Sequence, residues 1–261
     1  MAFPEKLGCD VIKRPTAGLR VGCAGWVIPK PLVPQFPELG SHLARYAHRL
    51  SAVEVNSCFY RSHRPATYAR WACQTPAGFA FSLKLPRSIT HDARLVNADG
   101  ALDRFLEETA ELGAKRGPLL VQLPPSLAFD ARVAGDFLSG LRRRHDGDVA
   151  CEPRHRTWFG PEPDRLLASF RVARVAADPA TVPQAAEPGG WHGLVYYRLH
   201  GSPKMYYSAY PADRLVAVAR LLAEAATSGA RPWCIFDNTA LGGAVHDALA
   251  VVSELGGVCA P

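Results

Sequence analysis

Eight short β-branched or apolar runs, at residues 19–23, 52–56, 79–84, 118–122, 148–152, 171–177, 193–199 and 232–237, alternate with longer segments of helical period. In those segments apolar residues recur at three- and four-residue steps, as in Leu102, Phe105, Leu106, Thr109 and Leu112, or Leu215, Val218, Ala219 and Leu222. This is the stripe of an amphipathic helix. Parallel strands need helical crossovers, and eight strand and helix pairs in about 250 residues are what a closed ring requires. The alternation predicts an α/β chain with a single (β/α)8 TIM barrel over residues 19–261, preceded by a tail or bottom cover at 1–18. A doubly wound open sheet is the alternative. No GxGxxG or GxxxxGK[ST] follows an early run, which weakens the nucleotide-binding form of that alternative.

With 48% hydrophobic and 21% charged residues the 261-residue chain can bury a core, and disorder is excluded as its ground state. The 30 Lys and Arg outnumber the 24 Asp and Glu, for a net charge of +6. That balance favours anionic partners, nucleic acid among them, or a solvated basic surface. Seven scattered cysteines, odd in number and never spaced CxxC, speak against disulfide frameworks and zinc knuckles. The first residues lack an apolar signal region, and no run of about 18 apolar residues occurs. A cytoplasmic protein without membrane contact is expected.

Long Pro- and aromatic-rich segments follow the strands at 26–37, 86–100, 153–163, 178–193 and 201–211, whereas the returns from helix to strand are short, as at 50–51 and 115–117. In barrels the strand-to-helix loops build the site. Nearly every strand also ends polar on that side: Trp26 after strand one, Glu54 and Asn56 on two, Lys84 on three, Gln122 on four, Glu152 and Arg154 on five, Asp178 on six, Arg198 and His200 on seven, Asp237 and Asn238 on eight. Each alone reads as a turn, a helix cap or a backbone partner. In a parallel barrel they would converge on one cavity, where charge must be paired.

Four acids (Glu54, Glu152, Asp178, Asp237) against three bases (Lys84, Arg154, Arg198) make that cavity nearly balanced, whereas a Mg²⁺ or Ca²⁺ site favours an excess of carboxylate. Lys84, Arg154 and Arg198 suit a phosphate or carboxylate clamp; internal ion pairing, such as Glu152 with Arg198, is the competing reading. His200 suits a general acid or base, and His91 reaches the cavity or caps a helix through Asp92. The stretches 200–204 and 238–245, with Gly242-Gly243, suggest an anion cradle. Trp26, Phe59, Tyr60, Trp158, Phe159, Tyr206, Tyr207 and Tyr210 crowd the same loops, for stacking on a base or sugar ring or for packing on one another.

The motifs VGCAGW, VEVNSCFY, FSLKLPRSITH, LLVQLPPS, CEPRHRTWF, YYRLHG and FDNTALGGAV together resemble those of the domain-of-unknown-function 72 family, the YecE-like proteins, over roughly residues 19–255. The resemblance implies a TIM barrel and carries site roles to Trp26, Glu54, Asn56, Lys84, His91, Gln122, Glu152, Arg154, Trp158, Arg198, His200 and Asn238. It implies no reaction. The family barrel is similar in outline to metal-dependent endonucleases and sugar isomerases, but the histidine set of a trinuclear zinc site is missing here.

The expectation is an enzyme using acid-base chemistry on a small anionic substrate, a sugar phosphate or nucleotide-like molecule, with hydrolase and isomerase or lyase chemistry both open. Glu54, Glu152 and His200 are the expected proton carriers. Trp26, Asn56, Tyr60, Lys84, His91, Gln122, Arg154, Trp158, Arg198 and Asn238 are expected to bind substrate. No cofactor or metal ligand is assigned. The alternatives are a metal-assisted phosphodiesterase or nuclease acting on nucleic acid, with Glu54, Glu152, Asp178, Asp237 and a histidine holding a divalent ion, and a nucleic-acid-binding module without turnover.

Overall fold

The computed structural model describes residues 18–258; the segment 1–17, expected to be a tail or cover, lies outside them. β1 (Arg20–Ala24), β2 (Ala52–Val55), β3 (Ala80–Lys84), β4 (Arg116–Gln122) and β5 (Val149–Glu152) lie side by side in parallel. β9 (Leu194–Leu199) and β10 (Arg231–Phe236) complete the circuit back to β1. The result is a mixed α/β fold with a nearly closed parallel barrel.

The run at 171–177 departs from the single strand expected of it. β6 (Val172–Arg174) pairs with β5, and β7 (Ala176–Asp178) pairs with β9 on the opposite side. Between them the Val175 amide donates to the Cys151 carbonyl at 2.8 Å. One stretch of chain thus serves its two neighbours in succession and joins the ends of the ring. The lower flank of β6 is covered by a two-residue antiparallel strand, β8 (Gly189–Gly190). Gly190 has φ +64, and a Cβ there would stand 2.6 Å from the Val172 carbonyl oxygen. Only glycine permits both.

Helices α1 (His42–Ala47), α2 (Ser57–Tyr60), α3 (Pro65–Cys73), α4 (Asp99–Thr109), α5 (Ala131–Arg142), α6 (Pro161–Ser169), α7 (Ala212–Thr227) and α8 (Gly243–Val258) run between the strands. α3 and α6 start with proline in the first turn, where no amide partner is lost. The Asp130 side chain caps α5 by accepting from the Arg132 and Val133 amides. α7 buries Leu215, Val218, Ala219 and Leu222, and α4 buries Leu102, Phe105 and Thr109, with Leu112 buried in the 3-10 turn that follows. These are the residues their spacing selects.

Two-residue alternation divides the strands between two cores. On β9, Val195, Tyr197 and Leu199 face the helices, whereas Leu194 and Tyr196 join Ala52, Leu120, Ala150, Val175, Trp233 and Ile235 inside the ring. Trp233 stacks on Tyr196 with centroids 6.0 Å apart. Gly117 makes room for it, because a Cβ there would lie 2.6 Å from the indole. Two residues further along β2, β5 and β9, the inward positions become Glu54, Glu152 and Arg198, all buried. The interior is therefore apolar below and ionic at the end where the strands point.

Candidate functional site

Arg198 stands at the centre of this ionic layer. Its Nη2 donates to Glu54 Oε1 at 2.6 Å and its Nε to Glu54 Oε2 at 3.0 Å, the two-pronged geometry for which guanidinium is suited. Nη1 donates to Glu152 Oε2 at 2.6 Å, and Nη2 also reaches Asp237 Oδ2 at 3.1 Å. The Tyr196 hydroxyl lies between Glu54 Oε2 at 2.9 Å and Ser82 Oγ at 2.7 Å. Burial lowers the Arg198 pKa, but Glu152, Glu54 and Asp237 reverse this and hold it well above its ordinary value.

His200 continues the network toward the rim. Its Nδ1 is 3.0 Å from Asp237 Oδ2, and its Nε2 is 2.9 Å from both Glu152 Oε1 and Arg154 Nη2. When Nε2 carries a proton it donates to Glu152; without one it accepts from Arg154. Arg154 also pairs directly with Glu152 at 2.8 Å. Burial raises the Glu152 pKa, but Arg198, Arg154 and His200 outweigh it and leave the carboxyl well below the usual range. Asp237 is lowered too, burial again being overcome by Arg198 and His200. The Tyr206 ring stands edge-on to His200 at 5.8 Å, on a left-handed backbone (φ 69) whose amide donates to the His200 carbonyl at 2.5 Å.

Lys84 differs from the other cations of the mouth. Its Nζ lies 4.1 Å from the centre of the Phe59 ring and has no ion-pair or hydrogen-bond partner among the described residues. Burial lowers its pKa, and Arg198 adds to this against the pull of Glu54, Glu152 and Asp237. His91 borders the same Phe59 ring at 5.0 Å and bonds Thr90 Oγ1 at 2.9 Å; burial, then Lys84 and Arg87, lower its pKa. Asn56 stands beside Lys84, since Val55 pairs with Leu83 on the residue before. Its Oδ1 is buried without a partner, as is Arg154 Nε. Gln122, in register with Glu152, donates to the Leu123 carbonyl at 3.1 Å. Trp26 is half-buried against Trp71, centroids 5.0 Å apart.

Other expected site residues are taken up by the protein itself or stand at the edge of this group. Arg198 is no clamp for a ligand, because carboxylates occupy its guanidinium on every side. Asp178 pairs with Arg214 of α7 at 2.9 Å, which leaves three acids (Glu54, Glu152, Asp237) against three bases (Lys84, Arg154, Arg198) at the mouth. Trp158 is buried, donates its indole N–H to the Leu127 carbonyl at 3.0 Å and packs on Phe129. It lines a separate cavity of about 250 Å³ with Leu95, Leu127 and Val133. Asn238 bonds Asp247 Oδ2 at 2.8 Å and the Ser208 carbonyl at 3.0 Å, tying a loop to α8. Tyr60 is 77% exposed and touches Phe59 edge-on. In the stretches expected to cradle an anion, the amides of Gly201, Lys204, Gly242 and Ala244 donate within the protein, to Tyr210, Ser208, Thr239 and Asn238.

The sequence reading left Tyr196 and Ser82 out of the site and placed Tyr206 only among loop aromatics. The two-residue step from Arg198 to Tyr196 and from Lys84 to Ser82 is the signal that finds the first two. As for a divalent ion, the oxygens of Glu54, Glu152 and Asp237 are turned to guanidinium and imidazole nitrogens. Among the described residues no three His, Cys, Asp or Glu side chains form a metal-holding group. The donor set does not fit one. No described helix is long and apolar enough to cross a membrane.

The fold resembles solved structures of a DUF72 family protein from Enterococcus faecalis V583, with TM-score 0.76, 20% identity and coverage of 91% of this chain and 95% of that one. A DUF72 family protein from Thermotoga maritima MSB8 gives TM-score 0.74 at 21% identity, covering 91% and 98%. The UPF0759 protein YecE of Escherichia coli K12 is 30% identical over 171 residues, 62% of this chain and 61% of the relative. The UPF0759 protein YunF of Bacillus subtilis 168 is 25% identical over 161 residues, 59% and 56% respectively. The matched part thus spans about three fifths of these curated relatives. The family model described as "Protein of unknown function DUF72" matches residues 20–259, from the first strand through the last helix. The chain belongs to the DUF72 family.

Proposed function

We propose that the barrel mouth binds a small hydroxylated anion and moves a proton on it, with His200 as the proton carrier. The observation that carries this is the set of polar groups the protein leaves unanswered there: Arg154 Nε and Asn56 Oδ1, both buried without a partner, and Lys84 Nζ, which faces only an aromatic ring. An unsatisfied buried polar group costs about 1–3 kcal/mol. A ligand that accepts from Lys84 and Arg154 and donates to Asn56 recovers that cost. A phosphate or carboxylate beside a hydroxyl has this pattern.

The ionic layer supplies the rest. Glu152, held ionised by Arg198 and Arg154, is a poor base, and Glu54 is sealed beneath Arg198. Both act as an electrostatic frame in place of the proton-carrying role their residue type suggests. His200 is oriented by Asp237, and its Nε2 chooses between Glu152 and Arg154 according to its proton. Arg154 both touches the ligand and answers that nitrogen, so ligand binding and proton position are coupled. Transfer needs hydrogen-bond reach, directly or through one water.

Melting curves against a panel of sugar phosphates and hydroxy acids test the binding part. At least one member should raise the Tm of the wild type, and Arg154→Gln and Asn56→Leu should abolish the shift. For that ligand, His200→Gln should bind but no longer exchange ligand C–H hydrogen with deuterated solvent by NMR. A panel with no shift, or variants that retain it, refutes the reading.

A further inference from the structure

We propose that Lys84 is a nucleophile that forms an imine with a carbonyl carbon of the substrate, so that the molecule taken by the mouth is an anionic aldehyde, ketone or keto acid. This rests on the reading of the mouth as an anion site and assigns its parts: Arg154 takes the anionic end and Lys84 the carbonyl end.

Geometry isolates this amine. The three carboxylates of the layer are all turned to other groups: Glu54 to Arg198, Glu152 to Arg198, Arg154 and the His200 imidazole, and Asp237 to Arg198 and the same imidazole. Lys84 is left half-buried over Phe59, one step along its strand from the Val55 and Leu83 pair, as is Asn56, whose Oδ1 is orphaned. A lysine becomes nucleophilic when it is desolvated beside another cationic group, and Arg198 is that group here. The ring face favours the ammonium form by about 0.5–2 kcal/mol; burial and Arg198 act in the opposite direction and prevail. Lys115 shows the contrast, since its Nζ is held by the Ala72 and Thr75 carbonyls and by Thr75 Oγ1.

The step balances without an oxidant or reductant. The Nζ lone pair attacks the carbonyl carbon, a C–N bond forms, and the oxygen takes a proton to give a carbinolamine. That hydroxyl takes a second proton and leaves as water as the C–O bond breaks, and the nitrogen lone pair closes the C=N bond to give an iminium that keeps one N–H. His91, which borders the same Phe59 ring, is assigned the transfer of these protons, directly or through one water. The iminium withdraws electrons from the bond beside it, so a C–H or C–C bond is the one this site would break. Isomerase or lyase chemistry follows from this, and hydrolysis does not.

The test treats the full chain near pH 7 with pyruvate, glyoxylate or pyridoxal 5′-phosphate and sodium cyanoborohydride, then maps modified lysines by peptide mass spectrometry. Lys84 should be labelled severalfold faster than the exposed Lys30, because its amine is desolvated beside another cation. Lys84→Arg and Lys84→Met, with wild-type circular dichroism, should lose that fast phase. Labelling of Lys84 no faster than Lys30 overturns the imine. Calorimetry with pyridoxal 5′-phosphate without reductant then separates the two readings. Binding that Arg154→Gln removes leaves the anion site standing alone, and no binding at all takes both away.

Discussion

Replacing Arg198 with methionine removes the cation that faces three carboxylates at once. The side chains of Arg198, Glu54 and Glu152 are at most 2% exposed, and Asp237 is 14% exposed, so water cannot take over. Breaking a buried ion pair from one side costs about 3–5 kcal/mol, because the stranded charge has no partner. With an m-value near 3 kcal/mol/M in urea, the midpoint should fall by about 1 to 1.7 M. Glu54→Gln in the same chain removes the most deeply stranded charge, and the double variant should regain at least about 2 kcal/mol. The assay is a double-mutant cycle by urea denaturation followed with tryptophan fluorescence. If the two substitutions add, or if Arg198→Met unfolds at the wild-type midpoint, the account of the ionic layer as a coupled unit fails.

Acid should unfold the protein through the same layer. The folded pKa values of Glu152 and Asp237 lie below those of unfolded carboxylates near 4, so their contribution is full above that value and is lost as pH falls; Glu152→Gln should flatten the acid limb of stability against pH. His145 at the barrel bottom is pushed down to about 4, by burial first and then by Arg116. Unfolded histidine titrates near 6.5, so this contribution is full above pH 6.5 and fades toward pH 4, and His145→Gln should remove that part of the slope in pH-scanned melts. Gly22→Ala places a Cβ 1.9 Å from the Ala52 carbonyl oxygen and should lower stability by about 3 kcal/mol or more. Gly100→Ala, in α4 with nothing within 4 Å, should raise it by about 0.5–1 kcal/mol; equal effects of these two in urea would contradict the packing described.

The ring was legible because the period of two in the strands and of 3.6 in the helices is written along the chain itself. The gathering of Glu54, Glu152, Arg198 and His200 followed from it, since inward parity and the shared strand direction place them in one layer. The pairing of Glu152 with Arg198 was visible as an alternative but could not be weighed, because it depends on side-chain distances across the ring. Loop residues fared differently. Nothing local tells whether Trp158 turns toward the mouth or donates to Leu127, or that Asn238 spends its amide on Asp247. The split of strand six is equally silent, since residues 171–177 read as one unbroken run and only the neighbours on either side divide it.

That division has a bearing on where this barrel tolerates change. The crossover after Asp178 is stitched to the wall a second time, through Gly190 on Ala173 and the Trp191 amide on the Val172 carbonyl at 2.9 Å. Extra length at 180–182, ahead of the turn whose Gln184 and Glu187 carbonyls accept from Arg174, should be harmless, whereas an insertion between 190 and 191 should pull the two seats apart and open a slot in the staves beneath the ionic floor.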